Sequence, residues 1–224
     1  MKPDSPERLT IETGKAGAVS ALLLRPDAAR ACFVFAHGAG AGMTHSFMEA
    51  FAAGLCRHSI ASLRFQFPYM EKGSKRPDPP AIAQAAVRAA VAEARRHCPD
   101  LPLIAGGKSF GGRMTSQAQA AAPLEGVRGL AFLGFPLHPS GKPSSDRAAH
   151  LADVHIPMLF LQGTRDSLAE TGLIEPVVKN LSLATLHLVD GADHSFHVLA
   201  RSGRKDSEVL GEILDVFASW AGAI

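Results

Sequence analysis

Two short stretches, Arg8–Thr13 and Val19–Arg25, open the chain on either side of a segment bounded by Gly14 and Gly17. That pattern predicts two strands joined by a hairpin turn. The pattern then changes to short apolar runs alternating with longer amphipathic segments. The runs are Ala31–Ala36, Ile60–Phe65, Leu103–Ala105, Gly129–Gly134, Met158–Leu161 and Thr185–Val189. Apolar on both faces, they predict buried parallel strands covered by helices on each side. Helical periodicity marks Phe47–Arg57, the Ala-rich Ala81–His97, Arg113–Ala121 and Ser207–Trp220, with shorter pieces at Asp146–Ala152 and Glu175–Asn180. An antiparallel start followed by strand–helix alternation predicts an α/β fold with a mostly parallel central sheet, helices on both faces and right-handed crossovers. In such sheets functional groups gather at the carboxyl ends of the strands.

The 224 residues suit one domain spanning 1–224, and the ordinary globular balance of 46% hydrophobic and 20% charged residues argues against disorder. Acids and bases are interspersed to a net charge of +2. The nearest basic cluster, Lys72, Lys75 and Arg76, reads as a solvated loop, and one Trp with one Tyr offers no platform for bases. A nucleic-acid partner is therefore not expected. No apolar stretch approaches the roughly 18 residues of a membrane span. The N-terminus, with Asp4, Pro6 and Glu7, lacks the apolar core of a signal peptide. Three widely spaced cysteines, Cys32, Cys56 and Cys98, fit reduced thiols in a cytoplasmic protein.

Reactive residues do fall at strand ends. After the run ending at Ala105, Gly107 to Gly111 reads G-K-S-F-G, the G-x-S-x-G pattern of a nucleophile elbow. A serine on so sharp a strand-to-helix turn projects its hydroxyl above the sheet, and the flanking glycines let strand and helix approach without a Cβ between them. Ser109 is the expected nucleophile. Asp166 follows the run Met158–Leu161, and His194 follows Thr185–Val189, giving the chain order Ser, Asp, His. Asp190 and Asp193 are alternative acids, and His197 and His187 alternative bases. The His37-Gly-Ala-Gly40 segment follows the run Ala31–Ala36 and supplies small residues that let a backbone N–H approach a carbonyl oxygen. The expected oxyanion donors are the N–H groups of Phe110 and Ala39, with Gly38 and Gly40 as neighbours of the second, and His37 is expected to pin the loop.

Competing motifs fail on specific residues. A P-loop ending at Gly107-Lys-Ser109 would need glycine where Pro102 stands, and a dinucleotide fingerprint from Gly38 would need glycine at Met43. His194 and His197 with Asp190 and Asp193 have no second ligand cluster converging on them, so no metal and no cofactor is implied.

At His37–Gly40, Arg64–Met70, Gly106–Arg113 and Leu161–Asp166 the chain resembles small bacterial α/β-hydrolases of the dienelactone-hydrolase-like group. It is especially similar to a subgroup carrying the H-G-A-G and G-G-K-S-x-G-G-R motifs, and the likeness extends over nearly the whole sequence. The resemblance implies an α/β-hydrolase fold and acyl transfer from a small ester-like molecule, whether carboxylester, lactone or thioester. Dienelactone hydrolase proper uses a cysteine, whereas position 109 is serine. A related domain in a eukaryotic chromatin-modifying complex makes a silent binding or scaffold protein the competing reading. In this fold lids enter after the strand Gly129–Gly134, and the Pro-, Ser- and Gly-rich stretch from Phe135 to His155 is too short for one with its own core. Gly38, Gly40, Phe135 and Pro136 are expected to line the substrate site. The Pro68–Pro80 loop is a second candidate wall, bringing Lys72, Lys75 or Arg76 towards a carboxylated substrate.

Overall fold

The computed structural model describes residues 5–224; Asp4 of the N-terminal reading lies outside them. Among these residues, one sheet is built from β1 (Glu7–Glu12), β2 (Ala18–Leu24), β3 (Ala31–Ala36), β4 (Ile60–Phe65), β5 (Leu103–Lys108), β6 (Val127–Leu133), β7 (Met158–Gly163) and β8 (Ala184–Val189). Their order across the sheet is β1-β2-β4-β3-β5-β6-β7-β8. The first two strands form the expected antiparallel hairpin, closed where the Thr13 N–H donates to Gly17 O at 3.1 Å. Gly17, at φ 90°, takes a conformation that favours glycine. β2 meets β4 antiparallel, and every later pairing is parallel.

Helices α1 (Ser46–Arg57), α2 (Pro68–Glu71), α3 (Pro80–His97), α4 (Phe110–Ala121), α5 (Thr171–Lys179) and α6 (Asp206–Ala221) connect or follow the strands. All six residues of β3 are buried, because its alternate side chains enter two separate cores. Ala31, Phe33 and Phe35 pack with Met48, Phe51 and Leu55 of α1 and Ile213 and Phe217 of α6. Cys32, Val34 and Ala36 pack on the other face with Ala86, Val87 and Ala90 of α3 and Met114 and Ala118 of α4. Helices thus cover both faces, as the apolar runs predict. None of these helices is long and apolar enough to cross a membrane.

Three differences from expectation have physical causes. The run Thr185–Val189 is not buried on both faces: β8 is an edge strand, Thr185 is exposed, and Leu186, His187 and Leu188 are only partly covered. The Pro68–Pro80 loop begins with a helical turn, α2, because Pro68 at its first position arrives with helical φ already set. And α4 begins at Phe110 rather than Arg113, since Gly111 and Gly112, poor helix formers, serve close packing here instead. A Cβ on Gly111 would lie 2.5 Å from Ala36 O, and one on Gly112 would lie 2.8 Å from Gly107 O. Between β6 and β7 the chain carries only a 3₁₀ stretch, Asp146–Asp153, which buries Ala148 and Leu151 and forms no lid.

The same close packing makes Gly107 irreplaceable, because a Cβ there would collide with the carbonyl oxygen and the Cβ of Ala36. Neither atom can swing aside as a flexible side chain would. Gly107→Val should therefore lose more than about 3 kcal/mol, lowering Tm by roughly 10 °C or preventing folding. Ser109→Ala should melt within a few degrees of the wild type. Thermal melts of both proteins decide it, and a Gly107→Val protein melting like wild type would mean the strand and helix are not in contact.

Candidate active site

Ser109 is the one residue between β5 and α4. Its backbone sits at φ 50° and ψ −114°, a region costing a non-glycine residue about 1–3 kcal/mol. The strain is held from both sides: its N–H donates to Leu133 O and its carbonyl accepts from the Arg113 N–H, both at 3.1 Å. His194 lies in the loop after β8, shaped by Asp193 Oδ1, which accepts from the Ser195 and His197 N–H groups at 2.8 and 3.0 Å. His194 Nε2 is 2.8 Å from Ser109 Oγ, and its Nδ1 is 2.7 Å from Asp166 Oδ2.

Asp166, after β7, is only 2% exposed. Its Oδ1 accepts from the Leu168 N–H at 2.8 Å and its Oδ2 also accepts from Gln162 Nε2 at 2.6 Å. An ionised carboxylate can only accept, so the imidazole proton belongs on Nδ1 and Nε2 is left to accept from the serine hydroxyl. Gln162 is fully buried, and its Oε1 accepts from the Phe135 N–H at 2.9 Å, so its amide is oriented at both ends. Sequence reasoning did not single it out. The available signal was its place four residues before Asp166, inside the Leu161–Asp166 segment.

The loop after β3 is pinned through His37, which is wholly buried. Its Nδ1 donates to Gly38 O at 2.7 Å, and its Nε2 accepts from the Phe67 N–H at 3.0 Å. Burial pushes the ring down to about pKa 4, so it is neutral near pH 7. Gly40 gives its N–H to Tyr69 Oη at 3.0 Å. Among the described residues no acceptor takes the Ala39 N–H, and the Phe110 N–H, at the first position of α4, has none within its helix.

A cavity of about 360 Å³ opens at Ser109 and His194, lined also by Gly38, Ala39, Phe47, Met48, Lys108 and Leu168. Gly40 lies outside this lining. Phe135 and Pro136 do not line it either. Both are buried, Phe135 against Phe132 and Phe160, because the chain turns inward at Gly134 (φ 68°) as it leaves β6. Lys72 and Arg76 face a different pocket, beside Tyr69. Asp190 is reached by Thr164 at 3.4 Å, His197 pairs with Asp206 at 2.8 Å, and His187 pairs with Glu212 at 2.7 Å, so none of these meets Ser109. No cluster of three or more His, Cys, Asp or Glu residues arranged for a metal exists among the described residues.

Lys108, the first variable residue of the G-x-S-x-G pattern, was also not foreseen. Its ammonium donates to His194 O and lies 5.2 Å from the Phe196 ring centroid. Burial pushes it down to about pKa 8, opposed by the charges of Asp166 and Asp193. Gly134 makes room for it: a Cβ there would be 2.9 Å from Lys108 Nζ and 3.3 Å from His194 Nδ1.

Comparison with known proteins gives one family and several solved structures of like fold. A family model described as an alpha/beta hydrolase domain matches residues 29–222. Among solved structures, an alpha-beta serine hydrolase homologue from Coxiella burnetii superposes with a TM-score of 0.77 at 19% identity, covering 96% of this chain and 97% of that one. A lidless serine hydrolase from Xanthomonas campestris gives 0.75 at 23% identity, with 98% and 97% covered. Dienelactone hydrolase from Anabaena variabilis gives 0.76 at 17% identity, with 97% of each chain covered. At these identities the likeness is one of fold.

The neutral His37 carries a pH signature. In the unfolded chain the ring takes up its proton at pH 6.5, in the folded protein only near about 4. Between those values the unfolded state binds more protons, so its contribution is fully present above pH 6.5 and lost as pH falls towards 4. The expected slope is about 1.4 kcal/mol per pH unit in that window. Urea unfolding from pH 7 to 4.5 measures the loss, and ring ¹⁵N shifts should report a neutral His37 protonated on Nδ1 at pH 5.5. A His37 ring titrating near 6.5 in the folded protein would contradict the assignment.

Proposed function

The chain belongs to the alpha/beta hydrolase family, and on that basis we propose that it is a serine hydrolase forming an acyl-enzyme from small ester-like substrates. The observation that carries the proposal is the unbroken hydrogen-bonded chain from Asp166 through His194 to Ser109, at 2.7 and 2.8 Å, beside an open cavity. In the proposed mechanism Ser109 Oγ attacks the substrate carbonyl while His194 Nε2 takes its proton. Asp166 keeps the imidazole in the productive tautomer and stabilises its protonated form. The N–H groups of Ala39 and Phe110 receive the developing oxyanion. His194 then returns the proton to the leaving group, and a water activated by the same ring releases the acyl group. Carboxylesters, thioesters and lactones all suit this chemistry. A cytoplasmic setting belongs to the same proposal, supported by Cys32 and Cys98, which interact as buried thiols.

The first test is covalent. An alkyl organophosphonate should add once to the wild type by intact-mass spectrometry and not at all to Ser109→Ala. A folded wild-type protein that resists labelling would favour a binding or scaffold protein that keeps the fold without turnover.

The second concerns acyl length. The cavity of about 360 Å³ lies near the bottom of the range for small-molecule sites, roughly 300–1,000 Å³. With no lid above it, methylenes beyond the first few stay in water and lose the ~0.8 kcal/mol each would gain by burial. Activity on p-nitrophenyl esters should peak at short acyl chains. A profile rising steadily to decanoate would refute the open site.

A further inference from the structure

The segment Arg64–Met70 takes no part in any step of the proposed acyl transfer, yet its polar atoms converge on the loop that follows β3. Arg64 Nη1 donates to Met43 O at 3.0 Å, and Gln66 Oε1 accepts from the Met43 N–H at 2.8 Å. The Phe67 N–H donates to His37 Nε2 at 3.0 Å, and Tyr69 Oη accepts from the Gly40 N–H at 3.0 Å. The last of these bonds falls one residue from the Ala39 N–H, the proposed oxyanion donor.

A planar trans peptide points its N–H and its C=O in opposite directions. What holds Gly38 O therefore aims the Ala39 N–H, and Gly38 O accepts from His37 Nδ1 at 2.7 Å. The next peptide shares the Ala39 Cα and carries the Gly40 N–H. Gly40 stands at φ 73°, and nothing lies within 4 Å of the place a Cβ would take. Packing there does not hold the peptide, and a glycine turns at little cost. Among the described residues no backbone N–H reaches Ala39 O, so the phenol of Tyr69 is what fixes this second peptide.

Tyr69 is itself firmly placed. It is only 3% exposed, its N–H donates to Asp78 Oδ2 at 2.9 Å, and its carbonyl accepts from the Ser74 N–H at 2.8 Å. Its ring stacks on Phe67 and meets the ring of Phe110 edge-on, with centroids 6.4 Å apart in each case. One side chain thus touches the residue of one proposed donor and the neighbour of the other. We propose that Tyr69 is a positioning residue for the oxyanion hole, holding the Ala39–Gly40 peptide with its hydroxyl and abutting Phe110 with its ring. This deepens the serine-hydrolase proposal and rests on it for the oxyanion. Donors fixed in advance need no reorientation as charge develops, which is where such a hole gains its effect.

Tyr69→Phe keeps the ring and leaves the Gly40 N–H without its acceptor. Tyr69 does not line the cavity at Ser109, so the loss should fall on the transition state and spare substrate binding. On 4-nitrophenyl butyrate kcat should drop about tenfold, a fraction of the roughly 10²–10³ that deleting a donor outright costs. KM should stay within about twofold. The pH of half-maximal rate should not move, because the chain from Asp166 to Ser109 is untouched. Exchange of the Gly40 amide, which needs no turnover, should quicken at least tenfold. An unchanged kcat, a loss confined to KM, a displaced pH profile or unaltered Gly40 exchange each overturns the proposal. Tyr69 is the single tyrosine of the sequence, so fluorotyrosine labels it alone should Tyr69→Phe fail to fold. Its ¹⁹F resonance should then shift when butylboronic acid, whose serine adduct puts an oxygen in the hole, is added to wild type but not to Ser109→Ala. A resonance that stays in place despite inhibition overturns the proposal too. A wild type that turns over no ester and takes up no boronic acid, with Gly40 exchange still quickened by Tyr69→Phe, would instead sink the hydrolase proposal and leave the hold on the loop standing.

Discussion

The carbonyl of Ala36 is the point on which the site depends. It ends β3 and touches the faces of Gly107 and Gly111 so closely that a Cβ on either would overlap it. Strand β5 and helix α4 can therefore meet with a single residue between them, and that residue is forced to φ 50°. The next residue after Ala36 is His37, so the contact that shapes the elbow also sets how far the loop 38–40 stands from Ser109. One short backbone approach thus defines both the hydroxyl position and the wall opposite it.

Two neutral, fully buried polar groups hold the backbone around the site. His37 is buried without charge and joins Gly38 to Phe67. Gln162 does a similar task on the other side, accepting from the Phe135 backbone and donating to Asp166. Neither introduces a charge that would compete with the Asp166–His194 pair in a low-dielectric setting. The cation nearest the reacting groups, Lys108, is instead held by the His194 carbonyl.

How much of this could be read from the sequence depended on whether local order was enough. β3 and β4 end where their predicted runs end, although β4 also buries the polar Ser62 and Arg64. Ser109, Asp166 and His194 were legible because glycines and strand ends announce themselves locally, and the structure places the three in one hydrogen-bonded chain. Gln162 and Lys108 were not, because their partners are backbone atoms and a carboxylate in loops that no periodicity reveals. Phe135 and Pro136 were misplaced for a related reason: standing next to a strand end does not say which way the chain turns, and Gly134 turns it inward. The edge position of β8 depends on strand order, which the apolar runs alone do not specify.

The hold of Lys108 on the His194 carbonyl has a further consequence. Ser109 and His194 are 85 residues apart in the chain, and several loops of the protein lie between them. Their separation is nevertheless set by one side chain that starts beside the serine and ends on the backbone of the histidine. It works as a spacer independent of the intervening path. Loops such as 122–126 or 180–183 could lengthen or shorten across related chains while that gauge stayed constant, so variation in length at these connections is compatible with an unchanged reacting distance.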